Sequence, residues 1–168
     1  MRSLILMRHA KAVRAHEAES DKARQLTGRG RRDSAAAGAA MEDAGLKPGL
    51  ALVSTSARTR ETAEFGLQNF NLETSFDDAL YHAGREQIWA AFQASDADSV
   101  IIVGHNPGIG ELVSSLVQQA HDGSKLAREF SGHFPTAAFA AFEVRGDLMR
   151  AAGPQLITAW KPERKEED

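Results

Sequence analysis

The chain has 168 residues, 42% of them hydrophobic and 26% charged, with a formal net charge of -3 and no cysteine. This composition reads as one globular domain over residues 1–160 with a charged tail at 161–168, and it excludes disulfides, thiolate metal sites and a cysteine nucleophile. A slightly acidic balance argues against general nucleic-acid binding, and with no apolar stretch of spanning length and no secretory leader the expected location is cytoplasmic, away from membranes.

The first element is an apolar run, Leu4–Met7, that ends on Arg8 and His9. Short continuous apolar runs bounded by turn residues are expected to be fully buried strands of a parallel sheet. Thr27 is a suitable N-cap for a helix that runs through the alanine-rich stretch to Ala44, where Gly45 ends it. Its inward face, Ala37, Gly38 and Met41, is small enough for close packing on a sheet. A second strand is expected at Leu50–Ser54, a helix from about Ser56 to Leu67, and another over roughly Glu86 to Ala94 with Ile88, Trp89 and Phe92 inward.

The strand Ser99–Val103 leads into Gly104-His105-Asn106-Pro107-Gly108. The helix after it carries Ile109, Leu112, Val113, Leu116 and Val117 at the spacing of an amphipathic stripe. Strands at Ala138–Val144 and Gln155–Trp160 complete the pattern as an antiparallel pair joined around Gly146-Asp147. Strand and helix alternate, so the expected class is α/β: a three-layer α/β/α sandwich around a mainly parallel sheet.

Ligands of such sheets bind beyond the carboxyl ends of the strands, and His9 and His105 both stand at such ends. One neutral nitrogen of His9 could act as a nucleophile while the other keeps its proton. Arg8 beside it offers a permanent charge and a planar fork suited to phosphate oxygens. The dipeptide alone reads equally as a solvated pair ending a strand. Arg58, in the first turn of the helix after the second strand, aims a further cation at the same edge. Arg60 and Glu61 rotate away from it and are expected outside. His105 sits on a tight strand-to-helix turn between glycines, where function concentrates. Lys11 and Asn106 are secondary candidates for substrate contact. His16, His82, His121 and His133 show no metal-type spacing and are read as structural.

Together these pieces resemble the histidine phosphatase superfamily, and within it the short SixA-type phosphohistidine phosphatases. The resemblance rests on Met7-Arg8-His9-Ala10-Lys11-Ala12, the block Asp21 to Gly30, Leu80-Tyr81, Val103 to Gly108, and Phe134-Pro135-Thr136-Ala137. It implies a phosphoglycerate mutase-like fold and a catalytic set of His9, Arg8, Arg58 and His105. His9 attacks phosphorus, the leaving group departs, and water hydrolyses the phosphohistidine. Arg8, Arg58 and His105 stabilise the equatorial oxygens, His105 best as imidazolium, and no metal or other cofactor is required.

The chain departs from the wider superfamily in two places. Ala10 replaces the glycine usual after the histidine, and the glutamate that donates a proton in the mutase-like branch has no match. Asp77 and Asp78 lack that branch's context. Asp21 is a possible acid, but its expected role is to fix a loop by an ion pair with Arg24. A site without an acid suits a phosphorylated imidazole, which takes a proton from solvent and leaves neutral, better than a sugar phosphate. The implied partner is a phosphorylated protein such as a histidine-phosphotransfer domain. The rivals are a small phosphorylated metabolite and a catalytically idle phosphate-binding module.

Overall fold

The computed structural model describes residues 1–145 and 153–163. Its six-stranded sheet has the order β3-β2-β4-β1-β5-β6, with β1 Arg2–Arg8, β2 Leu50–Ser54, β3 Glu73–Asp77, β4 Ser99–Gly104, β5 Phe139–Val144 and β6 Gln155–Trp160. The first four strands in that order are parallel, and β5 and β6 add antiparallel pairings at one side. The turn expected between β5 and β6, around Gly146-Asp147, lies outside the described residues.

Both faces of the central strands are covered, which is why β1 and β4 carry unbroken apolar runs. Successive residues of a strand point to opposite faces. Leu4, Leu6, Val100 and Ile102 therefore join one core with helices α3 (Arg85–Ala94), α4 (Gly108–Gln119) and α5 (Lys125–Gly132). Ile5, Met7, Ile101 and Val103 join the other with α1 (Gly28–Asp43) and α2 (Ala57–Leu67). The result is the expected α/β/α sandwich around a mainly parallel sheet.

The caps explain where the helices start. Thr27 accepts from the Gly30 amide at 3.0 Å, and Ser56 accepts from the Thr59 amide at 3.3 Å. The apolar stripe of α4 is wholly buried, as its spacing predicts. In α3, Ile88 and Phe92 are buried, while Trp89 only packs partly against them.

Gly38 of α1 serves a different contact from the one expected. A Cβ there would lie 2.1 Å from the Gly66 carbonyl of α2, so the small face lets two helices touch rather than a helix and the sheet.

Two elements have no counterpart in the sequence reading. Strand β3 is a polar, exposed edge strand without an apolar run, and α5 is an eight-residue helix capped by Ser124. In the tail, Lys161 pairs with Glu129 at 2.8 Å, and residues 164–168 lie outside the described set. Among the described residues, no helix is long and apolar enough to cross a membrane.

Candidate active site

The register of the parallel strands brings the two histidines together. Arg8 of β1 is paired with Gly104 of β4, so the next residue on each strand, His9 and His105, emerges side by side. Their ring centroids are 5.4 Å apart. Val53 of β2 is paired with Val103, which places Ser54 beside the same edge, and its hydroxyl meets His105 Nε2 at 2.8 Å. All three side chains are buried, His9 at 9% exposure and His105 at 3%.

His9 is fixed in one tautomer by its neighbour. Its Nδ1 lies 2.8 Å from the Ala10 carbonyl, and a carbonyl only accepts, so Nδ1 carries the hydrogen and Nε2 keeps the lone pair. The backbone around it is equally held: the His9 amide donates to the Gly104 carbonyl at 3.0 Å, and the Ala10 amide to Thr62 Oγ1 at 3.0 Å. Burial, followed by the nearby charge of Arg58, lowers the His9 pKa to about 3 despite the opposing Ala10 hydrogen bond. The imidazole is thus neutral near neutral pH.

Arg58 arrives from the first turn of α2, as expected, and is 2% exposed. Its Nη1 donates to the Asp21 carbonyl at 2.7 Å and its Nη2 to Asp21 Oδ2 at 3.0 Å, while the buried Nε has no hydrogen-bond partner among the described residues. Arg8 donates from Nη1 to the Phe134 carbonyl at 3.2 Å. The segment Phe134-Pro135-Thr136 leads into β5, where the Ala137 amide donates to the His9 carbonyl at 3.1 Å.

His105 is expected to serve the transition state best as imidazolium, and its charge depends on what stands beside it. Burial first, then Arg58, lowers its pKa to about 4, so without an anion beside it the ring is neutral. Its Nδ1 is buried and has no hydrogen-bond partner among the described residues. A dianion set against the ring would reverse the balance by favouring the charged form.

Asp21 makes the expected ion pair with Arg24, at 3.1 Å, but does more. Its Oδ2 also accepts from Arg58, from the Tyr81 hydroxyl and from His82 Nε2 at 3.1 Å. The Tyr81 hydrogen bond, and after it those of Arg24, Arg58 and His82, hold the carboxyl well below the usual carboxylate range. Asp21 is therefore ionised and poorly suited to give up a proton. Burial, and then Asp21, push Tyr81 up, so it is the neutral phenol that donates.

Asn106 is engaged at both ends of its amide, donating to the Phe134 carbonyl at 2.8 Å and accepting from the Gly110 amide at 3.0 Å. It braces the start of α4 against the strand entry and keeps one N–H for any ligand. Lys11 is exposed, and its carbonyl receives the Thr27 amide at 2.9 Å. Arg60 is exposed, as expected, and covers the Phe76 ring, whereas Glu61 is not outside: its side chain is only 16% exposed, accepts from the Leu26 amide at 3.1 Å and pairs with Arg31 at 3.8 Å.

His82, read as structural in the sequence, belongs to this cluster. Its ring centroid is 5.1 Å from His105 and 4.2 Å from Tyr81. Tyr81, marked in the sequence only within the Leu80-Tyr81 block, also belongs to the cluster, as do Ser54 and Thr62, which no motif marked, although Ser54 ends a strand at the same edge as the histidines. A cavity of about 600 Å³ between α4 and α5 lies alongside and shares Asn106 and Phe134 with the cluster, but neither His9 nor His105 lines it.

A buried floor of histidines and guanidinium groups beyond the carboxyl ends of β1, β4 and β2 defines an anion site of a recognisable kind. The family model of the histidine phosphatase superfamily (branch 1) matches residues 4–93. The chain belongs to the histidine phosphatase superfamily and is a phosphatase by class.

Within that class the structure is similar to the SixA protein of Nakamurella multipartitia, assigned as a phosphohistidine phosphatase, at 32% identity and a TM-score of 0.82 over 96% of each chain. It is similar to the SixA protein of Agrobacterium tumefaciens, assigned likewise, at 28% identity and a TM-score of 0.80 over 96% of this chain and 98% of that one. A mycobacterial glucosyl-3-phosphoglycerate phosphatase shares the fold at 16% identity and a TM-score of 0.65, over 97% of this chain and all of the other. No protein of curated function matches the chain.

Proposed function

We propose that the protein removes phosphate from phosphohistidine on other proteins, with His9 as the nucleophile and a phosphohistidine intermediate. The observation that carries this reading is the tautomer of His9. With Nδ1–H held by the Ala10 carbonyl at 2.8 Å, Nε2 is the basic nitrogen, and its ring lies in a pocket with Arg58, Arg8 and His105. Nε2 attacks phosphorus and the bond to the leaving group breaks. Arg8, Arg58 and His105 compensate the charge on the equatorial oxygens, the role that metal ions fill in other phosphoryl-transfer enzymes. His105 Nδ1 and Arg58 Nε, buried and lacking partners among the described residues, are available donors for those oxygens. Water then attacks the phosphorus of phospho-His9 and frees inorganic phosphate.

Two features support a protein substrate. The floor of the site is buried, whereas the rim is open, with the side chains of Asp21 and His82 at 42% and 54% exposure. A side chain presented by a folded domain can reach such a floor. The likeness to two proteins assigned as phosphohistidine phosphatases, at 32% and 28% identity, points the same way. Asp21, held ionised, offers no carboxylic acid for an alkoxide leaving group, while a phosphorylated imidazole leaves neutral after taking a proton from solvent.

A direct comparison tests the substrate. The kcat/KM for a phosphorylated histidine-phosphotransfer domain should exceed those for sugar phosphates by at least about 10²-fold, the scale of general acid catalysis, and should also exceed those for phosphoanhydrides. A metabolite turned over faster than the phosphoprotein would move the assignment to a small-molecule phosphatase. No turnover of any substrate, p-nitrophenyl phosphate included, would identify an idle phosphate-binding module.

A further inference from the structure

The nucleophilic mechanism leaves one proton without a carrier. When water attacks phospho-His9 it must lose a proton, and an oxygen leaving group must gain one in the first half-reaction. Asp21, the carboxylate of the cluster, is held ionised by the donors on its oxygens. His105 is buried with Nε2 on Ser54. His82 is the remaining imidazole of the cluster, and it stands at the open rim where water and leaving group pass.

Three observations hold His82 in place. Its Nε2 meets Asp21 Oδ2 at 3.1 Å, so the carboxylate orients the ring and leaves Nδ1 for exchange. Its ring packs 4.2 Å from Tyr81, which donates to the same carboxylate oxygen. Its backbone adopts a left-handed φ of 55°, uncommon for a residue with a Cβ and maintained only where the surroundings require it. The surroundings are visible at the next residue: a Cβ on Gly108 would lie 2.1 Å from the Ala83 carbonyl, so the segment Tyr81–Ala83 is pressed against the start of α4.

We infer that His82, oriented by Asp21, is the proton-transfer residue of this site. The inference rests on the His9 mechanism proposed above. In the first half-reaction the bond from His9 Nε2 to phosphorus forms, the bond from phosphorus to the leaving oxygen breaks, and the proton on His82 Nδ1 passes to that oxygen. In the second, a water oxygen bonds to phosphorus, the bond to His9 breaks and returns the lone pair to Nε2, and the water proton passes to His82 Nδ1. The cycle closes without an outside acid. Sequence spacing could not show this, because His82 reaches the histidine pair through its contact with Asp21 and through the packing of Ala83 on Gly108.

The test compares phenyl phosphate, a poor leaving group, with p-nitrophenyl phosphate, a good one. His82→Gln keeps a donor for Asp21 and should lower kcat/KM for phenyl phosphate at least about 10-fold more than for p-nitrophenyl phosphate, within the range general acids supply. His82→Gly suits the left-handed backbone, and added imidazole should restore its phenyl phosphate turnover. With labelled p-nitrophenyl phosphate, whose leaving group needs no acid, and rapid quench, both variants should carry more phosphoenzyme at steady state than the wild type. An equal loss on the two esters, or a glycine variant unaffected by imidazole, would overturn the proton-transfer role while leaving the His9 mechanism standing. A wild type that carries no acid-labile label on His9 would remove the underlying mechanism itself.

Discussion

Arg58 is bound to Asp21 at two points, Nη1 to the backbone carbonyl at 2.7 Å and Nη2 to the carboxylate at 3.0 Å. A guanidinium exposed by only 2% is costly without a countercharge, and Asp21 supplies it from a loop 37 residues earlier in the chain. The same carboxylate collects Arg24, Tyr81 and His82. One side chain thereby joins the loop after β1, the start of α2 and the segment after β3. The Asp21→Ala and Arg58→Ala substitutions should be non-additive, with a coupling of roughly 0.5–3 kcal/mol in a double-mutant cycle on denaturation. Additive losses would mean that the two groups act independently.

His9→Ala should abolish turnover while the protein still folds, because the ring sits at a strand end and its loss leaves the two cores of the sheet untouched. Circular dichroism and a denaturation curve check the fold. Rapid quench with labelled substrate checks that acid-labile phosphate is carried on His9 in the wild type and is lost in the variant.

Removing a donor for the equatorial oxygens should cost transition-state binding. Arg58→Ala and His105→Ala should each reduce kcat/KM by roughly 10²-fold or more. Arg58→Lys should recover little, since an ammonium cannot make both contacts to Asp21 that the planar fork makes. Chelation with EDTA should leave the wild-type rate unchanged, and activation by added Mg²⁺ or Zn²⁺ would contradict the proposed metal-independent mechanism.

The two lowered histidine pKa values make stability depend on pH. His9 and His105 titrate at about 3 and about 4 in the folded protein, against 6.5 ordinarily. Between those values the unfolded chain binds protons that the folded one does not, so stability is full above the ordinary value and is lost as pH falls below it. Each histidine should contribute a slope of roughly 1.4 kcal/mol per pH unit in that window. Denaturant midpoints followed from about pH 7 down to about pH 5 should show the slope reduced in His105→Gln. Tungstate, a dianion that favours the imidazolium, should inhibit more tightly as pH falls, and that dependence should weaken in the same variant.

Gly108→Ala would force a Cβ to within 2.1 Å of the Ala83 carbonyl and 2.9 Å of Ile88 Cδ1. The backbone at Ala83 has to move, at a cost of about 1–3 kcal/mol. Because Tyr81 and His82 ride on that segment, activity should fall further than stability predicts, by steady-state rate at a temperature where the variant remains folded.

The sequence by itself determined the buried strands of the sheet and the two histidines that follow them. Apolar runs such as Leu4–Met7 and Val100–Val103 are legible because a strand buried on both faces admits no polar position, and Arg8-His9 and His105 are legible as the polar residues just beyond them. The first turn of α2 marked Arg58 by the same logic. Neither β3, which is exposed throughout, nor α5 in its short polar-flanked stretch carries a comparable signal. The tertiary structure alone decided what surrounds the histidines. The pairing of Arg8 with Gly104 sets them 5.4 Å apart, and hydrogen bonds across |i−j| separations of 37, 60 and 61 residues bring Arg58, Tyr81 and His82 to Asp21. Those four residues lie in loops and helix starts, where no periodicity ties a side chain's direction to its position in the chain. Their meeting follows only from the packed path of the backbone.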